Sequence, residues 1–169
     1  MITVKQIGLT FVKATQLLHP TTIEVDAAGL RHDRDFALLE SNDEFVASKD
    51  HSDFFPLKFE FNAADESMSL QLPDGRTING PAQGSGRRWE IDHFGLRTIN
   101  IAEVEGPWES VLSEFAGRPL RLARCKTTGA AVDVLPVTLL TTGSLRRLER
   151  EIGAPVDAAR FRAGFVLEN

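Results

Sequence analysis

Met68-Ser69-Leu70-Gln71-Leu72-Pro73-Asp74-Gly75-Arg76-Thr77-Ile78 alternates apolar and polar residues, breaks at Pro-Asp-Gly, and resumes as a second extended run. Alternation with a period of two puts every second side chain on one face of a strand, and Pro-Asp-Gly carries the chemistry of a tight turn. Upstream, Phe59-Glu60-Phe61 leads into this stretch through Ala63-Ala64-Asp65-Glu66. Phe36-Ala37-Leu38-Leu39 and Glu44-Phe45-Val46-Ala47 are two further short strands, with Ser41-Asn42-Asp43 as their hairpin turn. Val4, Ile7 and Leu9 open the chain with the same kind of pattern. Many short strands at this spacing predict a small barrel or sandwich. The expected fold class is mainly β with α elements (α+β): a β-barrel-like lobe over residues 1–100, then a second lobe over residues 101–169.

Two helices are predicted in the second lobe. One runs from Pro107 to Ala116, with Trp108, Leu112 and Phe115 on one face and Gly117 and Pro119 ending it. The other runs from Gly143 to Ile152, capped by Thr142 or Ser144, buried through Leu145, Leu148 and Ile152, and stopped by Gly153-Ala154-Pro155. Arg121-Leu122-Ala123 reads as a strand, and Val137 to Leu140 as a buried strand feeding the second helix. Pro81 to Gly86 reads as a surface loop, because no strand–helix context surrounds its glycines.

The 169 residues suffice for one ordinary domain or two small lobes. Apolar content of 42% and charged content of 25% are those of a globular chain. No run of eighteen apolar residues predicts a membrane span, and the first residues do not read as a secretory signal. One cysteine, Cys125, excludes an internal disulfide framework, so a cytoplasmic setting is expected. Charge is unevenly spread: residues 1–117 carry ten Lys/Arg against nineteen Asp/Glu, and residues 118–169 carry nine against five. Arginine, fourteen against five lysines, suits bidentate contacts with phosphate or carboxylate. A small anionic ligand on the second part fits this balance better than nucleic acid does.

Three segments carry the candidate chemistry. At Thr141-Thr142-Gly143-Ser144 a strand meets a helix N-terminus, whose unpaired N–H groups favour an anion; plain helix capping by Thr141, Thr142 and Ser144 is the other reading. In Arg160-Phe161-Arg162, the start of a strand would put both guanidinium groups on one face, paired either by an anion or by Glu149, Glu151 or Asp157. Arg31 to Asp35 is a charged run leading into Phe36–Leu39, and Lys13 follows the apolar Phe11-Val12. The histidines, His19, His32, His51 and His93, have no metal-ligand spacing to each other or to Cys125, and no catalytic or metal residue is predicted. Cationic neighbours would activate Cys125 if it were exposed; a buried, inert thiol is the alternative.

Gly29-Leu30, Asp33-Arg34 and Phe36-Ala37-Leu38-Leu39 together resemble the "GL..DR.W.lvd" pattern of the N-terminal β-barrel domain preceding many MOSC (molybdenum cofactor sulfurase C-terminal) domains. Asp133 to Leu145 resembles the MOSC segment "D..P..LlT.aSL", and Arg160-Phe161-Arg162-Ala163-Gly164 resembles "RFRPN". The resemblance spans essentially the whole chain. It implies molybdenum cofactor (Mo-molybdopterin) bound between the lobes, in a family of sulfurase-like proteins linked to pyridoxal phosphate enzymes and of Mo-dependent reductases. It implies that Lys13 and Arg34 hold the pterin phosphate. Thr141, Thr142 and Ser144 would line the site, with Arg162 and its neighbour Arg160 completing it. A redox or sulfur-transfer partner protein is implied too. Ala14 stands where the family has serine, and Ala163-Gly164 where it has Pro-Asn. The family cysteine would follow the last motif, beyond Asn169, so weakened or absent catalysis is expected. The rival expectation is a non-catalytic anion-binding or scaffold module. Lys13 and Arg34 facing Arg162 across one cleft favours the cofactor; their lying apart, or pairing with Asp33 and Asp35, favours the scaffold.

Overall fold

The computed structural model describes residues 2–47, 52–93 and 95–168. The strands in chain order are β1 (Thr3–Ile7), β2 (Val25–Asp26), β3 (Gly29–Leu30), β4 (Phe36–Leu39), β5 (Lys58–Asn62), β6 (Ser67–Gln71), β7 (Thr77–Pro81), β8 (Arg88–His93), β9 (Arg97–Glu103), β10 (Arg121–Cys125), β11 (Leu139–Thr141) and β12 (Phe165–Glu168). The helices are α1 (Trp108–Ala116) and α2 (Thr142–Ile152). The protein is therefore mainly β with α elements, and no helix is long and apolar enough to cross a membrane.

The alternating stretch forms the antiparallel meander β5-β6-β7. Met68 and Leu70 are buried while Ser67, Ser69 and Gln71 are not. The turn after β6 closes as its residues require: Gly75 takes φ +88°, its N–H reaches Leu72 O at 3.0 Å, and the Asp74 carboxylate accepts from Arg76 N at 2.9 Å. A second sheet runs β4-β10-β9-β8, all antiparallel. β4 is buried along its whole length because it lies between two cores. Phe36 and Leu38 join a large cluster with Phe54, Phe59, Leu70, Trp108 and Leu112; Leu39 joins a smaller one with Ile91, Ile99, Ile101 and Cys125. The hairpin after β4 forms, with Leu39 bridging Phe45 and Val46 N donating to Leu38 O. α1 packs on β10, its Trp108 indole N–H donates to Pro81 O at 2.8 Å, and left-handed Gly117 ends it.

The third sheet, β1-β12-β11, holds the C-terminal part. β1 runs antiparallel to β12, whereas β11 runs parallel to it, so α2 is the crossover between two parallel neighbours. Strands from either side of residue 100 share sheets: β1 pairs with β12, and β10 pairs with both β4 and β9. Among the described residues, no sheet closes on itself.

Three local expectations are corrected here. The strand before α2 is not buried: Leu139 is 63% exposed, because β11 is the outer strand of its sheet. The α2 stripe is not buried either: Leu145 and Leu148 are half-buried and Ile152 is 55% exposed, since the helix rests chiefly on β11 and β12. Arg160-Phe161-Arg162 does not begin a strand. Asp157 accepts from Ala159 N at 2.9 Å and caps a 3-10 turn over Ala158–Phe161, which competes successfully with extended backbone.

Candidate functional site

A cleft of about 440 Å³ opens where four separated segments converge. Lys13 and Ala14 come from the segment after β1, Asp33 and Arg34 from the β3–β4 connection, Val132 to Pro136 from the loop before β11, and Arg160 to Gly164 from the turn before β12. Backbone pairing fixes the first two: Lys13 N donates to Phe36 O at 2.8 Å, and Arg34 N to Thr10 O at 2.7 Å. The last two are stitched in by Gly8 N to Gly164 O at 2.9 Å and by Gly164 N to Thr138 Oγ1 at 3.0 Å. Gly29 lets the loop dock: at φ +116° a Cβ there would lie 2.3 Å from Pro136 O.

The cleft is also where backbone strain collects. Of six non-glycine residues with positive φ among the described residues, three line it: Ala14 at +66°, Arg34 at +53° and Arg162 at +49°. Such conformations cost about 1–3 kcal/mol each and persist where surrounding structure holds them, often at binding sites. Here they aim two arginines and the residue after the lysine at one space.

Electrostatically the cleft is a surplus of cations over carboxylates. Lys13 is buried; its Nζ donates to Ala131 O at 2.9 Å and pairs with Asp133. Burial pulls its pKa below the lysine value, against the hydrogen bond and charge of Asp133. Burial pushes Asp133 up, but the Lys13 hydrogen bond and charge, with Arg34 behind them, hold it below the usual carboxylate value. Arg34 pairs with Asp33, whose carboxylate also accepts from Thr10 N at 3.0 Å. Burial raises Asp33 above the usual value in spite of both partners. Arg162 donates to Thr15 O at 2.7 Å and lies 4.9 Å from the Phe55 ring centroid. Burial, then the neighbouring Arg34 charge, brings its pKa down to about 10. Arg160 is exposed at the rim and has no ion pair among the described residues. The arrangement suits an anion with several oxygens, since charged donors reach it from three separate segments.

Lys13, Arg34, Arg160 and Arg162 are thus brought together, and Thr141, Thr142 and Ser144 are not among the cleft residues. Thr141 caps α2 through Ser144 N at 3.1 Å, its hydroxyl also lies 3.0 Å from Ser144 Oγ, and Thr142 is buried. Glu149, Glu151 and Asp157 are likewise engaged elsewhere, with Val156 N, Arg147 and Ala159 N. Lys13 and Arg34 face Arg162 in one cleft and are also ion-paired, Lys13 with Asp133 and Arg34 with Asp33. Asp35 pairs with His32 at 2.8 Å instead.

Asp133, Thr15 and Phe55 are site features the sequence reading did not assign. Asp133 stood within a quoted motif but received no role; Thr15 acts through its carbonyl, which any residue type supplies. Cys125 is buried and its thiol is pushed up to about 12 by burial and then by Asp35, so it is the inert alternative. It borders a larger cavity of about 940 Å³ over the β8-β9-β10 sheet, not the cation cleft. That cavity is bigger, yet its arginines, Arg88 and Arg124, sit on regular strands and Arg124 is paired with Glu66 at 2.9 Å. Size alone does not make it the better candidate. His51 lies outside the described residues, and no cluster of metal-ligating side chains occurs among the described ones.

No family model and no curated protein matches the chain. Among solved structures, the solution structure of a Bordetella bronchiseptica protein determined as a structural-genomics target is similar at a TM-score of 0.46 and 13% identity, covering 67% of this chain and 95% of that one.

Proposed function

We propose that the cleft binds the phosphate end of a pterin-type molybdenum cofactor, in a protein of MOSC-like organisation with a barrel-like first lobe. The observation that carries this reading is the convergence of Lys13, Arg34, Arg160 and Arg162, from distant parts of the chain, on one cleft of about 440 Å³. Phosphate is the fitting group, because guanidinium forks and an ammonium bind its oxygens by charge-assisted hydrogen bonds. The metal end fits less well. Molybdenum–sulfur chemistry calls for a soft thiolate, and Cys125 borders the other cavity with its proton held to about pH 12. No chemical step is therefore assigned to this chain; binding or carriage of the cofactor, with a redox or sulfur-transfer partner acting on it, is the reading.

A second reading, a non-catalytic anion-binding or scaffold module, is favoured by the pairs Lys13–Asp133 and Arg34–Asp33, which already neutralise two of the four cations. Both readings face one experiment. The purified chain is incubated with free molybdenum cofactor, and retained molybdenum and pterin are measured by elemental mass spectrometry and by fluorescence of the oxidised pterin. Stoichiometric retention is expected, falling roughly tenfold in Arg160→Ala, as for the loss of one charged hydrogen bond of about 1.5–3 kcal/mol. Arg160 is the better probe than Arg162, whose bond to Thr15 O and stacking on Phe55 tie it to the fold. No retained pterin with intact binding of simple phosphates would move the function to the second reading.

A further inference from the structure

The cation cleft carries an anion of its own. Lys13 is 8% exposed at its side chain and depends on Asp133 for its charge partner, while Asp133 is 62% exposed. Asp33, the other carboxylate, is different in kind. It is 5% exposed, holds Arg34, and accepts from Thr10 N at 3.0 Å, so it cannot leave without stranding a buried N–H and a guanidinium. Asp133 is already largely open to solvent, and no buried backbone N–H among the described residues depends on it. It sits on the loop that lines the cleft from Val132 to Pro136, directly beside the Lys13 ammonium.

We propose that Asp133 is a displaceable internal counter-ion that sets an entry threshold at Lys13, which doubly charged phosphate monoesters clear more easily than singly charged anions. The inference rests on the anion-binding reading of the cleft and adds to it the charge the ligand must bear. A ligand reaching Lys13 must replace a carboxylate tethered at the site, hence present at high effective concentration. A singly charged ligand exchanges one negative charge for another and still loses its translational freedom. A dianion makes the same exchange and keeps a second charge for Arg34, Arg160 and Arg162, which converge on the same space. Two arginines there are already committed in part, Arg34 to Asp33 and Arg162 to Thr15 O, and Arg160 at the rim is the most available to a ligand. The threshold is thus set at Lys13, and Asp133 sets it.

The test uses titration calorimetry with methyl phosphate and dimethyl phosphate near pH 8, well above the second phosphate ionisation at about 6. For the unaltered chain, methyl phosphate is expected to bind about tenfold more tightly than dimethyl phosphate, as one further charge at contact distance near a surface allows. In Asp133→Asn both affinities should rise severalfold, because neither probe then displaces a carboxylate, and the preference held by the arginines should remain; Asp133→Glu, which keeps the charge, should keep the affinities of the unaltered chain. Equal affinity of the unaltered chain for the two probes overturns the proposal without recourse to any variant. So does Asp133→Asn leaving both affinities unchanged, while the cleft itself survives as an anion site. Failure of both probes to bind both proteins removes the anion site, and this inference with it.

Discussion

The packed centre around Trp108 and the outer layer of β1, β12, β11 and α2 are built on opposite principles. In the centre, Phe36, Leu38, Phe54, Leu70, Trp108 and Leu112 are almost wholly buried, and helix, meander and four-stranded sheet meet there. In the outer layer Leu139 and Ile152 are more than half exposed, the buried apolar residues are few (Ile7, Ala163 and Val166), and polar links support it: Gly8 to Gly164, Gly164 to Thr138, and Arg162 to Thr15. The cation cleft lies on the seam between the two. For the proposed binding, the less rigidly packed side would allow entry and release, and the buried centre gives the cleft a fixed wall.

The contrast has measurable consequences. Trp108→Ala should cost about 3–5 kcal/mol in denaturant titration, as for aromatic truncation in a closed core. Leu148→Ala on α2, half-buried, should cost less than about 1 kcal/mol by the area it removes from contact. Similar losses at the two positions would erase the distinction between the regions. Gly29→Ala sharpens it. A Cβ 2.3 Å from Pro136 O, on backbone at φ +116°, should push the loop off the β3 turn at a cost of about 1–3 kcal/mol. Phosphate binding should then fall further than stability does, and unchanged binding would show that the loop is not a cleft wall.

The smallest effect is in acid. His93 Nε2 lies 3.1 Å from Val132 O, and burial, then the Lys13 charge, hold its pKa below the ordinary 6.5. The unfolded chain takes up this proton first, so stability is full above about pH 6.5 and is lost as pH falls toward the lowered value. His93→Gln should flatten that part of the stability profile relative to the unaltered chain. An identical slope in the two proteins would place the titrating group elsewhere.

The centre was legible in the sequence because its rules are local. Met68 to Ile78 alternates and turns at Pro-Asp-Gly, and Pro107 to Gly117 carries both ends of α1. The outer layer misled the same rules: Leu145, Leu148 and Ile152 have helical spacing, but spacing does not say whether anything covers them. Arg160 to Arg162 read as a strand because the Asp157 cap outweighs the pattern only once the turn forms. For the cleft, the cationic residue types were readable and their convergence was not. Left-handed Ala14, Arg34 and Arg162 aim the side chains, and none of these residue types announces that conformation. Thr141, Thr142 and Ser144 were readable as caps or as ligand groups, and their neighbours make them part of the helix start.

The most direct measurement of the central claim is amide chemical-shift mapping of the isotope-labelled chain titrated with methyl phosphate. Saturable shifts should gather at Lys13, Ala14, Arg34 and Arg162 to Gly164, leaving Arg88, Arg124 and Lys126 around the larger cavity unmoved. Shifts confined to the larger cavity, or absent at both, would contradict a phosphate site in the cleft.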